Sequence, residues 1–138
     1  MINNPQDMLQ TSRQRQEIEP RAQLRIPKPI DIVQLQTTAS TIYTASDNAD
    51  FEIAGLFVTN VTNGNGSVTI YMVPSGGSPG AANTIVYQRA INAKTMVTIF
   101  NVETVGLLPP GYTLQALCGT NDAINIWGHG YDYQGAYS

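Results

Sequence analysis

Charge is the scarcest property of this sequence: Asp, Glu, Lys and Arg make up 12% of 138 residues, about half the share usual in soluble domains. Thr, Asn, Gln, Ser and Gly stand in their place. A surface this thin in charge keeps a lone monomer in solution poorly, so the composition favours a chain packed against other subunits. Cysteine is nearly absent as well. With Cys118 alone no disulfide can form within the chain, and the fold must stand on packing. His129 is the single histidine, which leaves one ordinary base and removes most acid–base and zinc chemistry. No apolar run reaches the roughly 18 residues that a membrane span needs. The start, MINNPQDMLQ, has no basic stretch ahead of an apolar one, so no secretory signal is expected. The reading is of a chain made in a cytoplasm-like compartment with no membrane partner. The Asn60 and Asn65 sequons then have no meaning as glycosylation sites.

What charge there is divides unevenly. Residues 1–28 hold five basic residues against three acidic ones, net +2, while residues 29–138 hold Arg89 and Lys94 against seven acidic ones, net −5. An acidic body is the wrong partner for a phosphate backbone, so no nucleic acid is expected there. The mixed-sign start suits an acidic protein surface better than a nucleic acid.

The length suits one domain with room for a core, and the chain is organised around residues 41–73, TIYTASDNADFEIAGLFVTNVTNGNGSVTIYMV. Three strands are expected: one from Ile42 and Tyr43, a long one over residues 51–61, and a return over residues 68–73 after Thr62-Asn63-Gly64-Asn65-Gly66. Strict alternation puts Ile53, Phe57 and Val61 on one face of the long strand and Ala54, Leu56 and Val58 on the other. Both faces then read as apolar. A strand of that kind belongs inside a sheet, with an opposing layer on one side and an arm or neighbouring subunit on the other.

Residues 1–36 differ from the rest, being rich in Gln and broken by Pro5, Pro20, Pro27 and Pro29. They read as an arm, extended by its prolines, with room for a short helix over residues 6–18 that has too little apolar face to stand alone. Ile30, Ile32 and Leu35 are also placed to start a strand. The sandwich domain is expected over residues 37–138. Beyond the opening three strands, further ones are expected over residues 84–88, 94–100, 112–118 and 123–133, separated by the loop PSGGSPG, by Pro109-Pro110-Gly111 and by Gly119-Thr120-Asn121-Asp122. Trp127, His129, Tyr131 and Tyr133 share one face of the last. The fold class is all-β: an antiparallel β-sandwich, jelly-roll or immunoglobulin-like, preceded by an extended N-terminal arm.

Few residues are candidates for chemistry. His129 sits in Gly128-His129-Gly130 with no fixed orienting partner, which favours a polar or stacking role over catalysis. One His and one Cys make no zinc site. Asp47-Asn48-Ala49-Asp50-Phe51-Glu52 crowds oxygen ligands but lacks the Gly and spacing of an EF-hand calcium loop, and reads as a turn before the long strand. The glycines at 64, 66, 76, 77 and 80 precede no Lys-Ser/Thr and helix, so no phosphate loop is expected. No catalytic residue, metal or cofactor is assigned. The aromatic end, Trp127, Tyr131, Tyr133 and Tyr137, serves either as a protein interface or as a sugar platform, with interface favoured.

The strings TIYTASDNADFEIAGLFVTNVTNGNGSVTIYMVPSG and LLPPGYTLQALCGTNDAINIWGHGYDY together resemble small β-sandwich virion proteins of tailed bacteriophages. In those a strand ending in VTN leads to a strand such as VTIYMV, and a hairpin around PGYTL and NIWGHGY closes the domain. The resemblance spans residues 37–133 and is one of strands and turns. It implies a non-enzymatic virion protein assembled in the host bacterial cytoplasm, with the major capsid protein or other virion proteins as partners and a dimer or trimer of its own. A capsid decoration (cement) protein is the first expectation, a neck, collar, tail or baseplate component the second, and a carbohydrate-binding module the third. In the first, the arm docks through Leu24, Ile26, Ile30 and Ile32, each contributing roughly 1.5–3 kcal/mol if fully buried.

Overall fold

The computed structural model describes residues 25–133, and the stretch 6–18, Leu24 and Tyr137 lie outside the described residues. Nine strands follow in chain order: β1 Arg25–Gln34, β2 Ser40–Thr44, β3 Asp50–Asn60, β4 Gly66–Val73, β5 Thr84–Ile91, β6 Met96–Phe100, β7 Gly106–Leu108, β8 Thr113–Cys118 and β9 Ile124–Tyr133. One sheet runs β1-β9-β3-β6, with β7 also paired to β3, and the other runs β2-β8-β4-β5. Every pairing is antiparallel, so the domain is the all-β antiparallel sandwich that the alternating pattern predicts.

The apolar inner faces of the two sheets meet in one core. Phe51, Ile53, Leu56 and Val58 of β3 and Ile124 and Ile126 of β9 lie opposite Val68, Ile70, Leu114 and Ala116 of the other sheet. Cys118 is buried at its edge, its thiol directed at the Thr120 carbonyl oxygen 2.9 Å away, where it acts as a small apolar residue. Asn60 closes β3. Its side-chain amide donates to the carbonyls of Gly64 and Ile91 and its oxygen accepts from Thr62, which ties down the glycine-rich loop that follows.

Two readings are corrected here. The sheet starts at Arg25, not Thr37: β1 pairs with β9 from Arg25↔Tyr133 to Gln34↔Asn125, so the second half of the expected arm is a strand of the domain. Proline is tolerated because β1 is an edge, and Pro27 and Pro29, two apart, turn their missing donors to the free side. The second correction concerns β3. Its register against β9 runs Ile53↔Gly130 and then Gly55↔His129, leaving Ala54 as the extra residue of a β-bulge. Alternation resumes one residue out of step, so Phe51, Ile53, Leu56 and Val58 all face the core. What reads as two apolar faces is one apolar face with a kink in it.

The four sheet edges share a property. β1 carries two prolines and a bulge between Ile30 and Val33. β2 and β6 are five residues long and each has a register shift. β5 shifts register twice against β4 and turns Gln88 to φ 44. Short, bulged or proline-bearing edges resist strand addition.

Candidate functional site

The outer face of the β1-β9-β3-β6 sheet gathers the unusual residues. Because β9 has no bulge, Asn125, Trp127, His129, Tyr131 and Tyr133 all point outward, as the alternation predicts. Cross-strand register extends each of them into a row. Tyr131 lies between Pro27 and Glu52, which in turn faces Leu107 of β7. His129 lies between Pro29 and Gly55, and Trp127 faces Phe57, itself opposite Thr98 of β6.

The upper rows carry the exposed apolar side chains, set among the polar Gln34, Asn125, Thr59 and Thr98. The Phe57 and Trp127 rings meet at 4.6 Å. The β1 bulge opposite Trp127 carries Ile32, which is 64% exposed, and Met96 of β6 is 55% exposed. Of the residues expected at an interface, Trp127 and Ile32 thus come together across a β9–β1 pair. Ile30 does not join them: at 2% exposure it belongs to this domain's own core, so its side chain is not free for a neighbour. Ile26 is half-buried on the inner side of β1.

The lower rows are mixed. Arg25 pairs with Glu52 at 3.2 Å and lies over the Tyr131 ring, 4.0 Å from its centre. The Tyr133 hydroxyl donates to the other Glu52 oxygen at 3.1 Å, and burial together with that carboxylate raises the Tyr133 pKa. His129 lies over Gly55, where a β-carbon would come within 2.6 Å of the imidazole, and meets Phe57 edge-on at 6.3 Å. The imidazole is thus a packing element of this face, with rings and a glycine around it. Among the described residues no group of three or more His, Cys, Asp or Glu side chains is placed to hold a metal ion. Arg25, Glu52 and Phe57 were not legible as site residues, because only the β1–β9–β3 register brings them beside the aromatic strip.

No protein-family model matches the chain, and no curated protein matches it. Among solved structures it is similar to a subunit of the Bacillus endospore appendages, described as disulfide-linked pili, at 18% identity and TM-score 0.49 over 80% of this chain and 88% of that one. It is also similar to a chain of the infectious bursal disease virus Gx strain, at 12% identity and TM-score 0.40. The VP2 subviral particle of infectious bursal disease virus matches at 12% identity and TM-score 0.40, over 85% of this chain. This chain spans 34% and 36% of those two viral chains. At such distances the functional reading rests on the molecule's own surface.

Behind that face, on the core side, Tyr43 and Phe51 stack at 4.0 Å. Burial first, and then the charge and hydrogen-bonding capacity of the nearby Asp132 carboxylate, push the Tyr43 pKa from 10.0 up to about 12. The folded state therefore holds the proton more tightly than the unfolded chain. This contribution to stability is complete below pH 10, where both states are protonated, and drains away as pH rises from 10 towards about 12. Melting temperatures of the wild type should fall across that interval more steeply than those of Tyr43→Phe. Parallel curves would show that Tyr43 is not held as described.

Proposed function

We propose that this protein is a non-enzymatic structural protein of a tailed-bacteriophage particle, a capsid decoration protein that attaches through its sandwich and its N-terminal residues. The observation that carries the reading is the belt of exposed Ile32, Trp127 and Met96 around half-buried Phe57, on a chain with 12% charged residues and blunted sheet edges. An aromatic anchor flanked by aliphatic side chains is the composition of an interface core, and a central Trp is the side chain most often dominant in one. A charge such as that of Asp31, exposed in the same bulge as Ile32, belongs to its rim. With strand addition disfavoured at every edge, a face of this kind is the way to join neighbours. Residues 1–24, Leu24 among them, precede β1 in the sequence and form the rest of the proposed attachment. The resemblance of residues 37–133 to phage virion sandwiches supplies the kind of particle.

The test is occupancy. Trp127→Ser combined with Ile32→Asp should leave the domain folded, since neither side chain belongs to the core, with a melting temperature lowered by the loss of the Phe57–Trp127 contact. Trp127→Tyr, which keeps a ring on Phe57, serves as the control for that loss. Purified particles should then carry at least about tenfold fewer copies, the equivalent of one lost hot-spot contact. Normal occupancy by the double variant would overturn the belt as the attachment surface. Copy number in wild-type particles separates a coat-wide decoration protein from a neck or tail component, which is present in few copies.

A further inference from the structure

Below the apolar belt, the same face carries a groove that the proposed attachment does not use. It consists of two cavities. One, of about 290 Å³, is walled by Pro27, Pro29 and Tyr131, with Lys28 beside them. The other, of about 400 Å³, is walled by Arg25, Glu52, Val105 and Tyr133. His129 and Tyr131 line both, so the cavities form one trough crossing β1, β9 and β3 over a ridge made of an imidazole and a phenol ring. The smaller cavity is mostly apolar and the larger more polar than apolar, so that together they set apolar walls beside convergent polar groups, as small-ligand sites do.

The polar groups restrict the ligand. Arg25 and Glu52 neutralise one another at 3.2 Å, and Glu52 also takes the Tyr133 hydroxyl, so the larger cavity offers donors and acceptors side by side with no net charge. Among the described residues, Lys28 is the only other charged residue lining the trough. A polyanion needs clustered unpaired cations, which this trough lacks. The Arg25–Glu52–Tyr133 set is satisfied within itself, but one bond to Glu52 leaves further guanidinium N–H groups facing the trough, and an apolar ligand would strip these of water without replacing it. A ligand with hydroxyl groups around its rim and C–H faces above and below satisfies both walls and polar groups, and a trough in two lobes suits linked rings better than a single small molecule. We infer that the trough binds an oligosaccharide, with Tyr131 and His129 as the ridge under its middle unit and the Arg25–Glu52 pair binding ring hydroxyls in the larger cavity.

The experiment uses the full-length protein on an array of bacterial and eukaryotic glycans, followed by titration of the best binder. Wild type should bind at least one oligosaccharide, and binding should persist at about 1 M salt, where the screening length is about 3 Å. Tyr131→Ala should weaken it at least about tenfold, the size of one lost buried contact. Glu52→Gln, which keeps the shape and removes the charge, should weaken it as well, and it stands in should Tyr131→Ala fail to fold. Trp127→Ser should bind as the wild type does, because the belt lies outside the trough. No glycan bound by the wild type, binding lost at high salt, or binding unchanged in both trough variants would each overturn the inference. The attachment reading stands or falls separately: Tyr131→Ala should still occupy particles normally, and Trp127→Ser combined with Ile32→Asp should still bind glycan.

Discussion

Phe51→Ala is expected to lower stability by about 3–5 kcal/mol, the range for deleting a fully buried aromatic ring. Phe51 has no exposed surface, and its ring does two things at once. It stacks on Tyr43 with centroids 4.0 Å apart, an arrangement worth about 0.5–1.5 kcal/mol beyond the area buried. It also fills the space over Gly130, where a β-carbon would lie 2.9 Å from one ring carbon, closer still to another, and against the Glu52 carbonyl oxygen. Removing the ring opens a cavity between a glycine and a tyrosine, and neither can move in to close it. Against a total stability of about 5–15 kcal/mol for a domain, the loss should appear in calorimetry as a drop in melting temperature of roughly 10 °C or more. Phe51→Leu, which keeps most of the apolar volume, should lose clearly less. A loss below about 1 kcal/mol for Phe51→Ala would mean that the ring is not enclosed as described.

Much of this architecture could be read from residue patterns because most strands alternate without interruption. In β9 the order Ile124, Asn125, Ile126, Trp127 keeps step from end to end, so the outward aromatic strip was legible before any fold was known. Turn chemistry at Thr62 to Gly66, at Pro109-Pro110-Gly111 and at Gly119 to Asp122 placed the breaks for the same reason: short-range backbone preferences act where they are written. What escaped depends on partners far along the chain. β1 looked like an arm because proline is a poor central-strand residue, and its tolerance at an edge becomes visible only once β9 is known to pair with its other side. β7, at three residues, is too short to show a period. The trough was illegible for a like reason, since Arg25, Glu52 and Tyr131 meet only through two registers.

The β3 bulge gives the sharpest case, and it leads to a result that plain alternation does not anticipate: deleting Ala54 should leave the protein folded, whereas deleting Phe57 should not. A one-residue slip in a strand sends every following side chain to the opposite face, so a deletion inside β3 ought to be ruinous. Ala54, however, has no partner in the register with β9 or in those with β7 and β6. Without it Ile53 would be followed by Gly55, already outward and already opposite His129, and every apolar side chain would keep its face. The cost is confined to the junction where β3 changes its second partner from β7 to β6, and should appear as a lower melting temperature with an intact near-ultraviolet spectrum. Deleting Phe57 offers no such escape. Either the slip is absorbed by straightening the bulge, which turns Leu56 out of the core at about 2–5 kcal/mol, or it propagates forward and turns out Val58 and the Asn60 that holds the following loop. Either loss, added to that of the Phe57–Trp127 contact, is comparable to the whole stability of a domain. Equal behaviour of the two deletions would contradict the bulge. A folded protein lacking Ala54 would show that the kink is kept for the outer face, where Ala54 lines the larger cavity beside Glu52 and His129, and not for the core.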